Sequence, residues 1–328
     1  MIGRKHGLQI VRCVASALLL VVSGVPAIAQ GDYPNRIIKI VVPLPAGGFA
    51  DALPRIIGDK LSSRWGQPVI IENRAGFASN LGAEFVAKAE PDGYTLLATP
   101  PGPLVLSQHI YSKLGFNPAA FVPVSVMAAL PYTLVVNPQV RASTLQELVA
   151  LIKANPGKIT FASAGIGSPP HLTAEMLMAS AGLRMVHVPY KGLAPAMTDL
   201  LAGHVDVMFD NLANALPLIS SGKLKALAVG EQGRIPELPN VPAVAEMYPG
   251  FYSAGWYAVV APPKTPPAVA TKLSAAIAET LRLPDVVKRL ADFSARPVVS
   301  SREEAALFIE QEARRWRQVI PLAGIKAN

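Results

Sequence analysis

The sequence predicts an α/β protein of two domains, with the chain crossing between them twice. Strand-like apolar runs alternate with helix-like segments from about residue 37 to residue 230, the pattern of βα units built on parallel sheets. The strand runs are nearly continuous in apolar residues, as sheets covered on both faces require. Two extended stretches, near 125–137 and 251–262, pass without a helix, which suits a chain that leaves one domain and later returns. The boundaries on this reading are 30–131 with 252–328 for the first domain and 132–251 for the second. At 328 residues, 51% hydrophobic and 16% charged, the chain is long and apolar enough for two ordinary cores.

In chain order, residues 1–29 read as a secretory signal. Arg4, Lys5 and Arg12 make a basic head, Val14–Val25 an apolar stretch, and Ala27-Ile28-Ala29 a small-residue cleavage site before Gln30. The apolar stretch is shorter than the roughly 20 residues of a spanning helix, so export with cleavage after Ala29 is expected. The single cysteine, Cys13, leaves with this segment, and losing three basic residues lowers the formal charge from +8 to +5. No basic run interleaved with aromatics points to nucleic acid. "IIKIVVP" (37–43) then reads as a strand before a helix near 50–65. "PVIIENR" (68–74) precedes a helix near 79–89, and "YTLLATP" (94–100) leads into a Pro-rich segment. After the extended 121–137 come a helix at 144–157, a strand at 159–165 and a helix at 170–182. A strand at 185–189, a helix at 194–203, and strands at 205–210 and 224–230 follow. The extended 251–263 leads into C-terminal helices, one of them at 301–320.

Two turns invite a ligand. In "PLPAGGFAD", Gly47 and Gly48 let backbone approach closely, and Asp51 in the next helical turn can cap the helix or accept from a ligand donor. A plain tight turn with a helix-start charge is the other reading. In "ASAGIGSPPHL" (162–172), Gly165 and Gly167 allow a tight loop, Ser168 is placed as N-cap and Pro169 at the first helical position. Free N–H groups at such a helix start favour an anion. Pro170 breaks the dinucleotide fingerprint, and Phe161 stands where a nucleophile elbow has glycine. His171 can point into a cleft or be structural, and Asp210 stands alone in its neighbourhood. No metal-ligand spacing and no cofactor motif is present in the sequence.

"YPNRIIKIVVPLPAGGFAD", "GQPVIIENRAG", "AKAEPDGYTLL", "SAGIGSPPHLTAEML" and "VHVPYKGLAPAMTDLLAGHVDVMFDN" resemble, in order, the Bug (TctC-like) solute-binding proteins, extracytoplasmic receptors of tripartite tricarboxylate transporters. The resemblance runs from about residue 31 to the C-terminus. It implies a two-domain periplasmic-binding-protein (Venus flytrap) fold and a periplasmic, monomeric receptor without enzymatic activity or cofactor. Such a receptor hands its ligand to membrane permease subunits. It also implies a carboxylate held by backbone N–H groups of two loops, here Pro45–Asp51 and Ala164–His171, so that Gly47, Gly48, Gly165, Ile166, Gly167, Ser168 and His171 surround the ligand. The "PYKG" turn, with Tyr190 and Lys191, and Asp210 match further cleft-lining positions. Phe49 and Phe77 stand where the family has small or glycine residues. They either line the ligand's far end, favouring an aromatic carboxylate, or pack against the adjacent helix. Two other functions stay open: a periplasmic sensor for a signalling partner, and an exported hydrolase using Ser168 or Ser163 with His171 and Asp210.

Overall fold

The computed structural model of the chain describes residues 33–190 and 192–322. The expected signal peptide and Lys191 lie outside the described residues. The described residues from Arg36 onward form one compact unit.

Among the described residues ten strands make one mixed sheet. β1 (Ile38–Val42) pairs in parallel with β2 (Val69–Asn73) and β3 (Thr95–Thr99), and β5 (Thr160–Ser163) pairs in parallel with β6 (Val186–Pro189) and β7 (Val207–Asn211). Between these parallel wings run two antiparallel strands, β4 (Val122–Val136) and β9 (Ala254–Ala261). The parallel sheets expected from the sequence form the two wings, and the two extended stretches lie side by side as an antiparallel pair at the centre. The order is β2-β1-β3-β9-β4-β7-β5-β6, with β8 (Lys225–Val229) and β10 (Arg296–Pro297) also on β4.

β4 changes partners midway. Val122–Pro131 pairs with β9, and Tyr132–Val136 pairs with β7. The cores follow the same division. Val41, Leu97, Val105, Trp256 and Val260 pack together on one side of the change, and Leu134, Phe161, Leu177, Phe209 and Phe251 on the other. Burying each such side chain contributes about 1.5–3 kcal/mol.

The helices start and stop where local chemistry dictates. α1 (Phe49–Trp65) ends on Gly66 and α5 (Pro169–Ala181) on Gly182, both left-handed, the usual helix stop. Between them lie α2 (Asn80–Ala87), the short α3 (Ser107–Ile110), and α4 (Leu145–Ala154). α4 opens with a reciprocal cap: Thr144 accepts from the Glu147 amide while the Glu147 carboxylate accepts from the Ser143 amide. α6 (Leu193–Ala202), α7 (Leu212–Ser220), α8 (Pro267–Leu281) and α9 (Pro284–Ala291) follow. α10 (Arg302–Leu322) is locked to β9 by the buried Glu312, which accepts from the Trp256 indole at 3.0 Å and pairs with Arg315 at 2.6 Å. A single π-helical turn, Gly102–Leu106, occupies the Pro-rich segment after β3. Such turns often sit at functional sites.

Candidate functional site

A cavity of about 450 Å³ opens where β4 changes partners. One wall comes from the N-terminal half: Leu44, Ala78, Ser79, and the residues around the π turn as far as Tyr111. The facing wall comes from Ile166, Gly167, Ser168 and Asn211, and the through-running strands supply Tyr132, Gly255, Trp256 and Tyr257. Among the described residues no arginine, lysine, aspartate or glutamate lines it. A ligand here meets aromatic rings, hydroxyls, one carboxamide and backbone.

The β1–α1 turn is held from behind. Gly47 has φ +98° and its N–H donates to Asp51 Oδ2 at 3.1 Å, so Gly47 occupies the conformation a side chain would strain. Gly48 does not: its φ is −93°, and an added Cβ would meet nothing within 4 Å. Asp51 also accepts from Arg55 at 2.8 Å and from Asn73 at 3.0 Å. These donors, Arg55 foremost, hold its carboxyl down to about 2. Asp51 thus fixes the turn, and its oxygens are already supplied with donors. Leu44 lines the cavity, while Gly47 and Gly48 are exposed beyond it.

The β5–α5 turn is tied in the same way. The Gly165 N–H donates to Ser163 Oγ at 3.1 Å, and the Gly167 N–H donates to His171 Nδ1 at 3.0 Å. His171 is buried and stacks on His187 with centroids 3.8 Å apart; its Nε2 faces Glu175 at 3.4 Å. His187 Nε2 in turn lies 2.7 Å from Ser163 Oγ, and burial followed by the His171 charge pushes its pKa down to about 4. His171 is therefore a loop-holding residue outside the cavity lining, and it takes an amide expected to be free for a ligand. Pro169 and Pro170, at the first two helical positions, carry no N–H. Ser168, the N-cap, makes no capping bond, and its buried Oγ has no partner. Of the expected contacts on this turn, Ile166, Gly167 and Ser168 line the cavity, and Gly165 lies just outside it.

The remaining candidates sit one layer back. Phe49 packs edge-on against Tyr257 at 5.4 Å and against Phe293 at 5.2 Å; Phe77 packs on Tyr111 at 4.7 Å. Each ring buttresses a tyrosine that lines the cavity and does not line it itself. Tyr190 donates to Asp199 at 2.6 Å, away from the cavity. Asp210 is fully buried, and its neighbour Asn211 is the residue that reaches the cavity. Lys191 lies outside the described residues.

Ser168, His171 and Asp210 are not assembled into a triad. His171 is engaged by Gly167 and Glu175, and Asp210 by the Asn211 amide and Asn214. Ser163 does meet His187, but it is fully buried. Among the described residues no group of three or more His, Cys, Asp or Glu is placed to hold a metal, and no helix is long and apolar enough to cross a membrane.

Tyr111, Tyr132, Asn211, Trp256 and Tyr257 were outside the sequence reading. The rule that ligands lie beyond strand carboxyl ends could have pointed to Pro100–Gly102 after β3. Nothing comparable marked the interior of β4 or β9.

Residues 53–325 match the family described as tripartite tricarboxylate transporter family receptor. Protein BugT of Bordetella pertussis is 36% identical over 313 residues, covering 94% of this chain and 96% of that one. Among solved structures, R. palustris Rpa4515 with adipate is 34% identical with a TM-score of 0.78, covering 90% of this chain and 100% of that one. MatC (Rpa3494) from Rhodopseudomonas palustris with bound malate is 32% identical with a TM-score of 0.73, covering 88% and 100%.

Proposed function

The chain belongs to the Bug (TctC-like) family of tripartite tricarboxylate transporter receptors, and from that premise we propose that it captures a small carboxylate in this cavity and delivers it to the membrane subunits of such a transporter. The observation that carries the reading is the pair of strand-to-helix turns, after β1 and after β5, that approach one cavity from opposite halves of the sheet while no cationic side chain among the described residues lines it. Oriented amides at helix starts supply positive potential without a cation. Ile166–Ser168, at the cavity wall, are the positions assigned to the carboxylate, with Gly47, Gly48 and Gly165 just beyond the lining. The adipate and malate held by the two Rhodopseudomonas relatives support the ligand class. The rings of Tyr111, Trp256 and Tyr257 suit an aromatic or other apolar body behind the carboxylate.

Residues 30–131 with 252–328 and residues 132–251 act as two lobes on this reading. The change of β4 partner between Pro131 and Tyr132 supports that boundary. Export through residues 1–29 places the receptor in the periplasm.

A thermal-shift screen of aliphatic and aromatic mono-, di- and tricarboxylates tests the proposal. A ligand that binds only the folded protein adds about 2.7 kcal/mol at 100-fold its Kd, a plain rise in melting temperature. If no carboxylate raises it while another ligand class does, the proposal fails.

A further inference from the structure

At the seam of the sheet, Tyr132 of β4 and Asn211 of β7 are direct cross-strand partners. Their polar atoms converge over Gly255 of β9. A Cβ added to Gly255 would lie 3.3 Å from the Tyr132 hydroxyl and 3.4 Å from Asn211 Oδ1. All three residues line the cavity. Asn211 occupies the N-cap of α7, a position where asparagine ordinarily caps its helix, yet its side chain makes no capping bond. Among the described residues the Tyr132 hydroxyl has no hydrogen-bond partner, although the residue is 5% exposed. A buried donor–acceptor pair left open toward a cavity is costly unless a ligand or water completes it.

We infer that Tyr132 and Asn211 form a second recognition subsite, which takes a neutral hydroxyl or carbonyl oxygen at the far end of the ligand and disfavours a second carboxylate there. The inference rests on the carboxylate reading above and narrows it. A ligand hydroxyl can donate to Asn211 Oδ1 and accept from the Tyr132 O–H at once. A carboxylate in the same place would be desolvated with no cation among the described lining residues. Burial, with the Tyr257 and Asp210 charges, raises the Tyr132 pKa and keeps its phenol protonated as a donor. The Trp256 indole N–H is spent on Glu312, so Trp256 offers only its ring. A site that hydrogen-bonds a ligand oxygen rejects the analogue lacking it strongly, because its own polar groups are left unpaired.

Calorimetry with two matched series tests this: hexanoate, 6-hydroxyhexanoate and adipate, then benzoate, 4-hydroxybenzoate and terephthalate. In the series that binds, the hydroxy acid should bind at least tenfold more tightly than both its parent and the dicarboxylate. Tyr132→Phe should bring the hydroxy acid down to the level of its parent and leave the parent unchanged. Gly255→Ala fills the space over the pair without demanding an unusual backbone and should act likewise; melting curves confirm that both variants are folded. A dicarboxylate that outbinds the hydroxy acid overturns the inference, as does a Tyr132→Phe variant that weakens all acids alike. In either case carboxylates still bind and the receptor reading stands. If no acid of either series binds the wild-type protein while other ligands do, the receptor reading fails and the subsite with it.

Discussion

Two aspartates show how one side chain takes opposite roles in one fold. Asp51 is surrounded by donors and held down to about 2, so its contribution to stability is present above the unfolded value near pH 4 and is lost as pH falls through 2. Asp210 is the reverse case. Burial raises its carboxyl to about 6 against the help of the Asn211 amide and Asn214. Oδ1 accepts from both, while Oδ2 has no partner. Thr133, directly across in register, also has an unpartnered hydroxyl. A carboxyl whose folded pKa is raised is most favourable to folding below the unfolded value near 4, and stability falls as pH rises through about 6. A shift of two units corresponds to about 3 kcal/mol at most. Asp210→Asn keeps the carbonyl oxygen and both of its donors and removes the charge. It should stabilise the protein by about 1–3 kcal/mol at pH 7.5 and change little at pH 4. Thermal melts at the two pH values decide it, and a loss of stability at pH 7.5 would mean that the charge is engaged.

At the scale of the element, the turn between β2 and α2 stands out. Phe77, Ala78 and Ser79 have φ of 46°, 49° and 74° in succession, three non-glycine residues in a conformation that costs roughly 1–2 kcal/mol each. Ala78 and Ser79 line the cavity, so the strain is placed where a ligand is expected. Ala78→Gly should therefore raise stability by about 1 kcal/mol, read as a higher urea midpoint at unchanged slope; an unchanged or lower midpoint would show that the turn is not strained. This turn also marks what the sequence could disclose. The strands and most helices were legible because apolar periodicity and Gly/Pro stops are local. The β1 and β5 turns were legible because glycine marks them. Helix α7 was missed because it follows β7 without a break and carries Pro217 inside it. Asp210 was chosen where Asn211 reaches the cavity, an error of one residue. In a strand, one residue is the whole difference between faces, and which face meets the cavity is set by pairing with β4, distant in sequence. Tyr132 and Tyr257 were invisible for the same reason.

At the scale of the whole molecule, the two cores are joined by strands that run through the seam, and the cavity draws its walls from both sides of it. β4 keeps its direction while exchanging β9 for β7 between Pro131 and Tyr132, and Pro131 has no amide with which to fasten the junction. A strand pair with one such junction can bend there while each half keeps its own packing, the condition for hinge closure. Two large apolar side chains lie at loop tips on opposite walls: Phe77, 56% exposed, and Ile166, 65% exposed. Closure over a ligand would bring the two tips together and remove both from water. Cys13 is the single cysteine of the sequence, so Phe77→Cys combined with Ile166→Cys on a chain made from Gln30 gives a clean reporter. Both sites are exposed, and a melting curve checks that the double variant stays folded without the Phe77–Tyr111 contact. Under mild oxidation, a disulfide should form several-fold faster when the best carboxylate from the screen is saturating than when it is absent, because a bond requires Cα atoms within about 7 Å. Non-reducing electrophoresis over time reads the rate. A rate that ligand leaves unchanged or slows would mean that binding does not draw the two walls together, and the two halves would then act as a fixed scaffold around the cavity.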